Sequence, residues 1–265
     1  MTFLTRAGKE LFAIYAEYAF CIIIKKKRKK ITGSPMGARK KKAGRTMKNR
    51  RNCWVCGAGD FTERLLTPQP GDLVVAADGG LTHLKKLHIL PQHILGDFDS
   101  LGYAPEGDNV ALYPAEKDDT DMLLAVKYGL QNGYNNFLLY GGLGGRLSHS
   151  LANIQVLRYL CTQGCHGFLV DGSSVITVIE NERVEISDAA QGILSVFALG
   201  GNAEGVTIRE LRYTVENGRL TSDYPLGVSN EFTGNGAYIE AKNGVLLLVW
   251  EDGASDFRRI RFSPL

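Results

Sequence analysis

Asp78, Asp97, Asp99, Asp118, Asp119 and Asp121 fall in three short clusters, and a glycine-rich stretch with an arginine follows them. The clusters are Ala76-Ala77-Asp78-Gly79-Gly80, Gly96-Asp97-Phe98-Asp99-Ser100 and Lys117-Asp118-Asp119-Thr120-Asp121. The fourth motif is Gly141-Gly142-Leu143-Gly144-Gly145-Arg146-Leu147-Ser148-His149. Carboxylates crowded together repel unless protons or a cation neutralise them. Magnesium takes oxygen ligands and is usually held by one or two carboxylates plus substrate phosphates. Glycines let backbone approach a ligand closely, while a helix N-terminus and a guanidinium suit phosphate oxygens. The chemistry expected is magnesium-assisted transfer of phosphate groups from a nucleotide. Taken singly, each motif has a plainer reading. A lone Asp-x-Asp is a solvated turn, Asp119 suits a helix N-terminus, the glycines suit a loop, and His149 suits a helix surface. Recurrence in order, with complementary charge, favours the site.

Such residues need elements that bring them to one edge. Strand-like runs are read at Cys53–Cys56, Leu73–Ala77, His93–Leu95, Val110–Tyr113, Phe137–Tyr140 and Phe168–Val170. Helix-like segments lie between several of them, at Leu81–Leu87, Thr120–Gln131 and Ser148–Gln163, the last with Ser148 as its cap. This alternation predicts a parallel sheet with helices on both faces, and ligands then bind at the carboxyl ends of the strands. After about Ser173 the pattern turns to short strands separated by Gly, Asn and Asp, and Lys242-Asn243-Gly244 between two β-like runs predicts a hairpin. The expected fold is α/β, with an N-terminal parallel-sheet domain flanked by helices and an all-β sandwich after it. Residues 51–173 form the first and 174–265 the second.

The net charge of +3 conceals two opposite regions. Residues 1–50 carry 15 Lys and Arg against 2 Asp and Glu, whereas residues 51–265 carry 16 against 26. The acidic body argues against a nucleic-acid partner. The five cysteines are odd in number, and Cys53-Trp-Val-Cys56 sits in an apolar run, so a buried strand is favoured over redox or zinc chemistry. Leu11 to Ile24 is too short to span a bilayer and precedes its basic run, the reverse of a secretory signal. A surface anchor, a basic tail and translated upstream sequence are the readings weighed for it. The last is preferred, with Met1, Met36 and Met47 as candidate starts. No membrane is expected for residues 51–265, and the location expected is cytoplasmic.

Together the four motifs, with Val228-Ser229-Asn230-Glu231-Phe232 as a fifth block, resemble the thiamine pyrophosphokinase (thiamine diphosphokinase) family from about residue 53 onward. The resemblance implies a homodimer that converts ATP and thiamine to AMP and thiamine diphosphate. It implies Asp97, Asp99 and Asp121 as magnesium ligands, and Asp78, Asp118, Thr120, Arg146 and His149 around the nucleotide. Ser229 and Asn230 would meet thiamine, across the dimer interface. The catalytic set implied is Asp97, Asp99, Asp121 and Arg146, and Asp121, Asp118 and His149 are the candidate bases. Ser148 departs from the family, many of whose members carry Asp there, and is read as a helix cap. Phosphatases of the haloacid dehalogenase type also use Asp-x-Asp, but at the end of the first strand of the domain, and here two strand-like runs come earlier. A nucleotide- or thiamine-binding regulator is the non-catalytic alternative.

Overall fold

The computed structural model describes residues 50–252 and 255–265, all within one compact unit, 46–265. The expectations for the basic segment before residue 50 lie outside the described residues.

Six parallel strands come first: β1 (Asn52–Cys56), β2 (Leu73–Ala77), β3 (His93–Gly96), β4 (Val110–Leu112), β5 (Asn136–Tyr140) and β6 (His166–Val170). Three helices lie between them: α1 (Gly80–Lys86), α2 (Asp121–Gln131) and α3 (Leu147–Thr162). The residues of β2 and β5 are buried throughout, as parallel strands covered on both faces must be. Alternate residues divide between two core layers. Cys53, Val55, Phe137 and Leu139 face Met122 and Val126 of α2 and Leu157 and Leu160 of α3. Trp54, Cys56, Leu138 and Tyr140 face the opposite way, with Leu81 and Leu84 of α1. Both cysteines of the CxxC are thus core residues, and burial pushes the Cys56 thiol up to about 12.

The strands from β7 onward are antiparallel: β7 (Val175–Glu180), β8 (Glu182–Ile186), β9 (Ile193–Ala198), β10 (Ala203–Arg209), β11 (Val215–Leu220), β12 (Gly227–Glu231), β13 (Ala237–Asn243), β14 (Val245–Glu251) and β15 (Ile260–Pro264). Four of them extend the parallel sheet into one sheet of ten, in the order β12-β9-β14-β7-β6-β5-β1-β2-β3-β4. The other five form a second sheet, β11-β10-β13-β8-β15. The α/β fold with a β-sandwich is as expected, but the two halves share a sheet and one continuous core. Ile179, Val184, Ile239 and Trp250 of the sandwich join the layer that holds Trp54 and Tyr140.

The hairpin expected at Lys242-Asn243-Gly244 does not form. β13 pairs with β8 and β10, and β14 pairs with β7 and β9, so this turn carries the chain from one sheet to the other. Asn181, between β7 and β8, makes the same crossing, and the two corners bond reciprocally. Asn181 N–H donates to Gly244 O at 3.2 Å, and Gly244 N–H donates to Asn181 Oδ1 at 2.8 Å. A turn with the chemistry of a hairpin serves equally as a sandwich corner, because pairing partners are chosen by burial. The cap expected at Ser148 is also absent. The α3 helix starts at Leu147 with Arg146 in the N-cap position, and no side chain caps it. By contrast, Thr120 does cap α2, its Oγ1 accepting from Leu123 N–H at 3.3 Å.

Candidate active site

In the parallel region the chain runs from β1 outward through β2, β3 and β4, then returns to lay β5 and β6 on the other side of β1. The order reverses between β1 and β5, and in such sheets ligands bind in the crevice this reversal opens. There the loop Gly57-Ala58-Gly59 after β1 meets the loop 141–145 after β5. Gly57 N–H donates to Tyr140 O at 2.8 Å and Gly59 N–H to Gly141 O at 2.9 Å. A Cβ on Gly141, whose φ is +61°, would lie 2.3 Å from Gly57 O, so only glycine allows this contact. Beside these loops opens a cleft of about 590 Å³, reached by the ends of β2 and β3 and by the start of α2.

Three carboxylates converge on it. Asp78 follows β2 in the left-handed region, φ +50°, and its N–H donates to Leu95 O at 2.8 Å. Asp97 follows β3. Phe98 after it is also left-handed, φ +60°, and buries its ring, which turns Asp97 inward and leaves Asp99 exposed. Strain of this kind in two non-glycine residues at one cleft is typical of functional sites. Asp121 opens α2. One oxygen from each of Asp78, Asp97 and Asp121 lies within 4.8 Å of the others. Asp78 Oδ1 is buried and has no hydrogen-bond partner among the described residues. Lys117 Nζ stands 3.0 Å from Asp97 Oδ2 and 3.0 Å from Asp121 Oδ1.

The electrostatics separate the two carboxylates that share this lysine. The hydrogen bond from Lys117 holds the Asp97 carboxyl below its usual range. Burial pushes the Asp121 carboxyl up, and the charges of Asp97 and Asp78 add to that, against the pull of Lys117. Burial works against the charge of Lys117 itself, but its bonds to Asp97 and Asp121 outweigh this and raise its pKa.

The other residues singled out from the sequence are spread more widely. Asp99, Thr120, Arg146 and His149 line the cleft. Asp99 stays outside the group of three carboxylates, which Asp78 joins. Asp118 is exposed and does not line the cleft, whereas its neighbour Asp119 does, paired with Lys127 at 2.5 Å. Arg146 and His149 are exposed on the rim. Ser229 and Asn230 lie on β12, five strand spacings from β5 along the sheet, or roughly 24 Å at the usual interstrand distance. The two glycine-loop residues Gly57 and Gly59, Lys117 and Asn153 also line the cleft, and the sequence reading assigned none of them a role. Gly57-Ala58-Gly59 carried a signal, a glycine pair directly after a buried strand.

Two segments of known type match this architecture. The sequence profile described as thiamin pyrophosphokinase, catalytic domain, matches residues 68–169, and that described as thiamin pyrophosphokinase, vitamin B1 binding domain, matches residues 178–246. The chain belongs to the thiamine pyrophosphokinase family. The junction between the two matched segments falls at β6 and β7, where the sheet changes from parallel to antiparallel. Over 184 residues the chain is 26% identical to the thiamine pyrophosphokinase of Bacillus subtilis (strain 168), which is 67% of this chain and 86% of that protein. The crystal structure of the thiamine pyrophosphokinase from Bacillus subtilis has the same fold, with a TM-score of 0.68 at 23% identity, covering 76% of this chain and 99% of that one. A thiamin pyrophosphokinase family protein from Enterococcus faecalis gives a TM-score of 0.63 at 26% identity, covering 76% and 99%. Membership in the thiamine pyrophosphokinase family makes the chain an enzyme.

Within that family frame Asn230 has a local duty. It is buried, its Oδ1 accepts from Tyr213 N–H at 2.9 Å, and its Nδ2 donates to Tyr213 O at 2.7 Å. Asn230→Ala is expected to cost about 2 kcal/mol of folding stability, since both Tyr213 backbone groups lose their partner. Chemical denaturation checks this, and an unchanged midpoint would free Asn230 for a ligand.

Proposed function

We propose that this enzyme transfers a pyrophosphoryl group from ATP to the hydroxyl of thiamine, giving AMP and thiamine diphosphate, with magnesium as cofactor. The observation that carries the reading is Asp78 Oδ1, buried without a hydrogen-bond partner among the described residues and grouped with carboxylates of Asp97 and Asp121. An orphaned carboxylate oxygen in such company is costly unless a cation meets it. An all-oxygen donor set fits magnesium, which prefers carboxylates, water and phosphate. Asp78, Asp97 and Asp121 would hold it, with Asp99 at the rim. Bound there, magnesium would neutralise phosphate charge as it develops on the leaving and transferred groups.

The protein's own residues do the positioning. The glycine loops after β1 and β5 let phosphates approach backbone amides, and Arg146 on the rim adds a guanidinium for their oxygens. Thr120 keeps α2 in place and with it Asp121. The thiamine hydroxyl attacks the β-phosphorus, the bond to the α-phosphate oxygen breaks, and AMP leaves. Asp121, at the start of α2 in the cleft, is the base we assign to the hydroxyl proton.

The distance from β12 to the cleft supports a homodimer, in which a second copy brings Ser229 to this cleft. The β12 strand is a sheet edge, and Tyr213, Tyr224, Leu226 and Val228 near it are 59%, 66%, 60% and 45% exposed. An apolar sheet edge of this kind invites a partner. Among the described residues no helix is long and apolar enough to cross a membrane. Free thiols at Cys53 and Cys56 support a reducing, cytoplasmic setting.

Purified protein incubated with ATP, magnesium and thiamine is expected to form AMP and thiamine diphosphate in equal amounts. Asp97→Asn should lower the rate by about a hundredfold or more. Chromatography that instead finds ADP and thiamine monophosphate would reject pyrophosphoryl transfer.

A further inference from the structure

Lys117 takes no part in the nucleotide or thiamine contacts above, yet it stands among the carboxylates. Its ammonium lies 3.0 Å from an oxygen of Asp97 and 3.0 Å from one of Asp121, and its side chain is only 13% exposed. Both partners belong to the trio whose oxygens approach within 4.8 Å of one another. Magnesium needs its oxygens at about 2.1 Å, so an ion held by this trio and the ammonium compete for the same two oxygens. Two cations that close also repel strongly, more so in a partly covered cleft. One of them must give way.

Lysine is suited to leaving. It is a compact point charge on a flexible four-carbon stem, whereas a planar guanidinium is not easily redirected. The carboxylates nearby offer little alternative. Asp119 is already paired with Lys127 at 2.5 Å, and Asp99 is exposed to water. The cleft that Lys117 lines also contains the glycine loops and Arg146. A displaced ammonium therefore finds its best acceptors in the phosphate oxygens of a bound nucleotide.

We propose that Lys117 is an exchangeable internal cation: it holds the metal-free carboxylates together, yields Asp97 and Asp121 to a divalent ion, and turns to the nucleotide phosphates. This rests on the magnesium reading given above. It assigns the lysine two successive partners and makes the entry of metal and the capture of nucleotide parts of one exchange. Mutual repulsion among the carboxylates is restrained before the metal arrives, and the cost of restraint is weaker metal binding.

The test is a titration of the full-length protein with Mn²⁺ followed by electron paramagnetic resonance, without nucleotide. Lys117→Met is expected to bind Mn²⁺ on the order of tenfold more tightly than the natural protein, and Lys117→Arg, whose guanidinium is not easily redirected, no more tightly than it. Lys127→Met removes the same charge from the neighbouring Asp119 rather than from the trio, and should change Mn²⁺ affinity by less than about twofold. With Mn²⁺ saturating, Lys117→Met should weaken ATP binding by about tenfold. Its melting midpoint in chelator should fall, and Mn²⁺ should restore it. Should the Met variant not fold, Lys117→Gln, which keeps one hydrogen bond, provides the same readings. Unchanged or weaker Mn²⁺ binding in Lys117→Met, or in the Gln variant that replaces it, overturns the exchange, as does an equal gain in Lys127→Met or tighter binding in Lys117→Arg. Unchanged ATP affinity overturns the second partner. If neither the natural protein nor the variants bind Mn²⁺, with or without ATP, the magnesium reading itself fails and the exchange falls with it.

Discussion

Asp121→Asn should abolish nearly all turnover, lowering kcat by about a thousandfold, while making the metal-free protein more resistant to heat. The two effects have one cause. Asp121 is half-buried beside Asp97 and Asp78, and its carboxyl sits above its ordinary range because burial and those two charges disfavour ionisation. A group whose folded pKa is raised lends its stability below the unfolded value and loses it as pH rises through the folded value. For Asp121 that stability is present below 3.8 and is withdrawn as pH climbs above it. Asp97 behaves oppositely, because Lys117 holds its carboxyl low, and its contribution is lost only as pH falls. Asparagine at 121 removes the first term and leaves the second. The excess melting temperature of the variant over the natural protein, measured in chelator, should therefore grow as pH rises above 3.8. Magnesium should reverse the order, stabilising the natural protein and not the variant. A variant that melts lower than the natural protein at neutral pH in chelator would show that the pairing with Lys117 outweighs the repulsion.

Gly80→Ala should have the largest effect on folding of any single methyl added to the site. A Cβ at Gly80 would lie 1.8 Å from Cys56 O and 2.4 Å from Cys56 C. Both are backbone atoms at the end of β1, in the core, and neither can swing aside. The α1 helix is docked on that strand end at glycine distance, so the added methyl must push the helix away. The expected loss is about 3 kcal/mol, the upper range for overpacking. Asp78 lies two residues before Gly80, so whatever protein folds should also bind metal poorly. Gly145→Ala is the contrast. Its φ is +57°, but nothing lies within 4 Å of the added atom. It should lose only about 1 to 2 kcal/mol, the cost of a left-handed side chain. Denaturant midpoints for the two variants provide the comparison, and equal losses would sink the steric account of Gly80.

Much of this molecule is legible in its order of residues. The alternation of apolar runs and helical stretches placed β1 to β6 to within a residue or two, because period and turn chemistry are local properties. Thr120 marked the start of α2 by the same logic, and the aspartate clusters marked the strand ends that line the cleft. The CxxC was readable as core from the apolar run around it. Partner choice was not readable. Lys242-Asn243-Gly244 has the chemistry of a hairpin and makes a corner between two sheets, since strand pairing follows what each face must bury. Ser148 has the chemistry of a cap and lies one residue inside its helix. The ordering of the carboxylates belonged to the tertiary structure as well. Asp78 and Asp99 look equivalent along the chain, but the buried ring of Phe98 turns Asp99 to water, and the left-handed turn at Asp78 brings its oxygen to Asp97 and Asp121. Residue types determined which chemistry this chain can hold; only packing decided which oxygens meet, because burial acts between residues far apart in the chain.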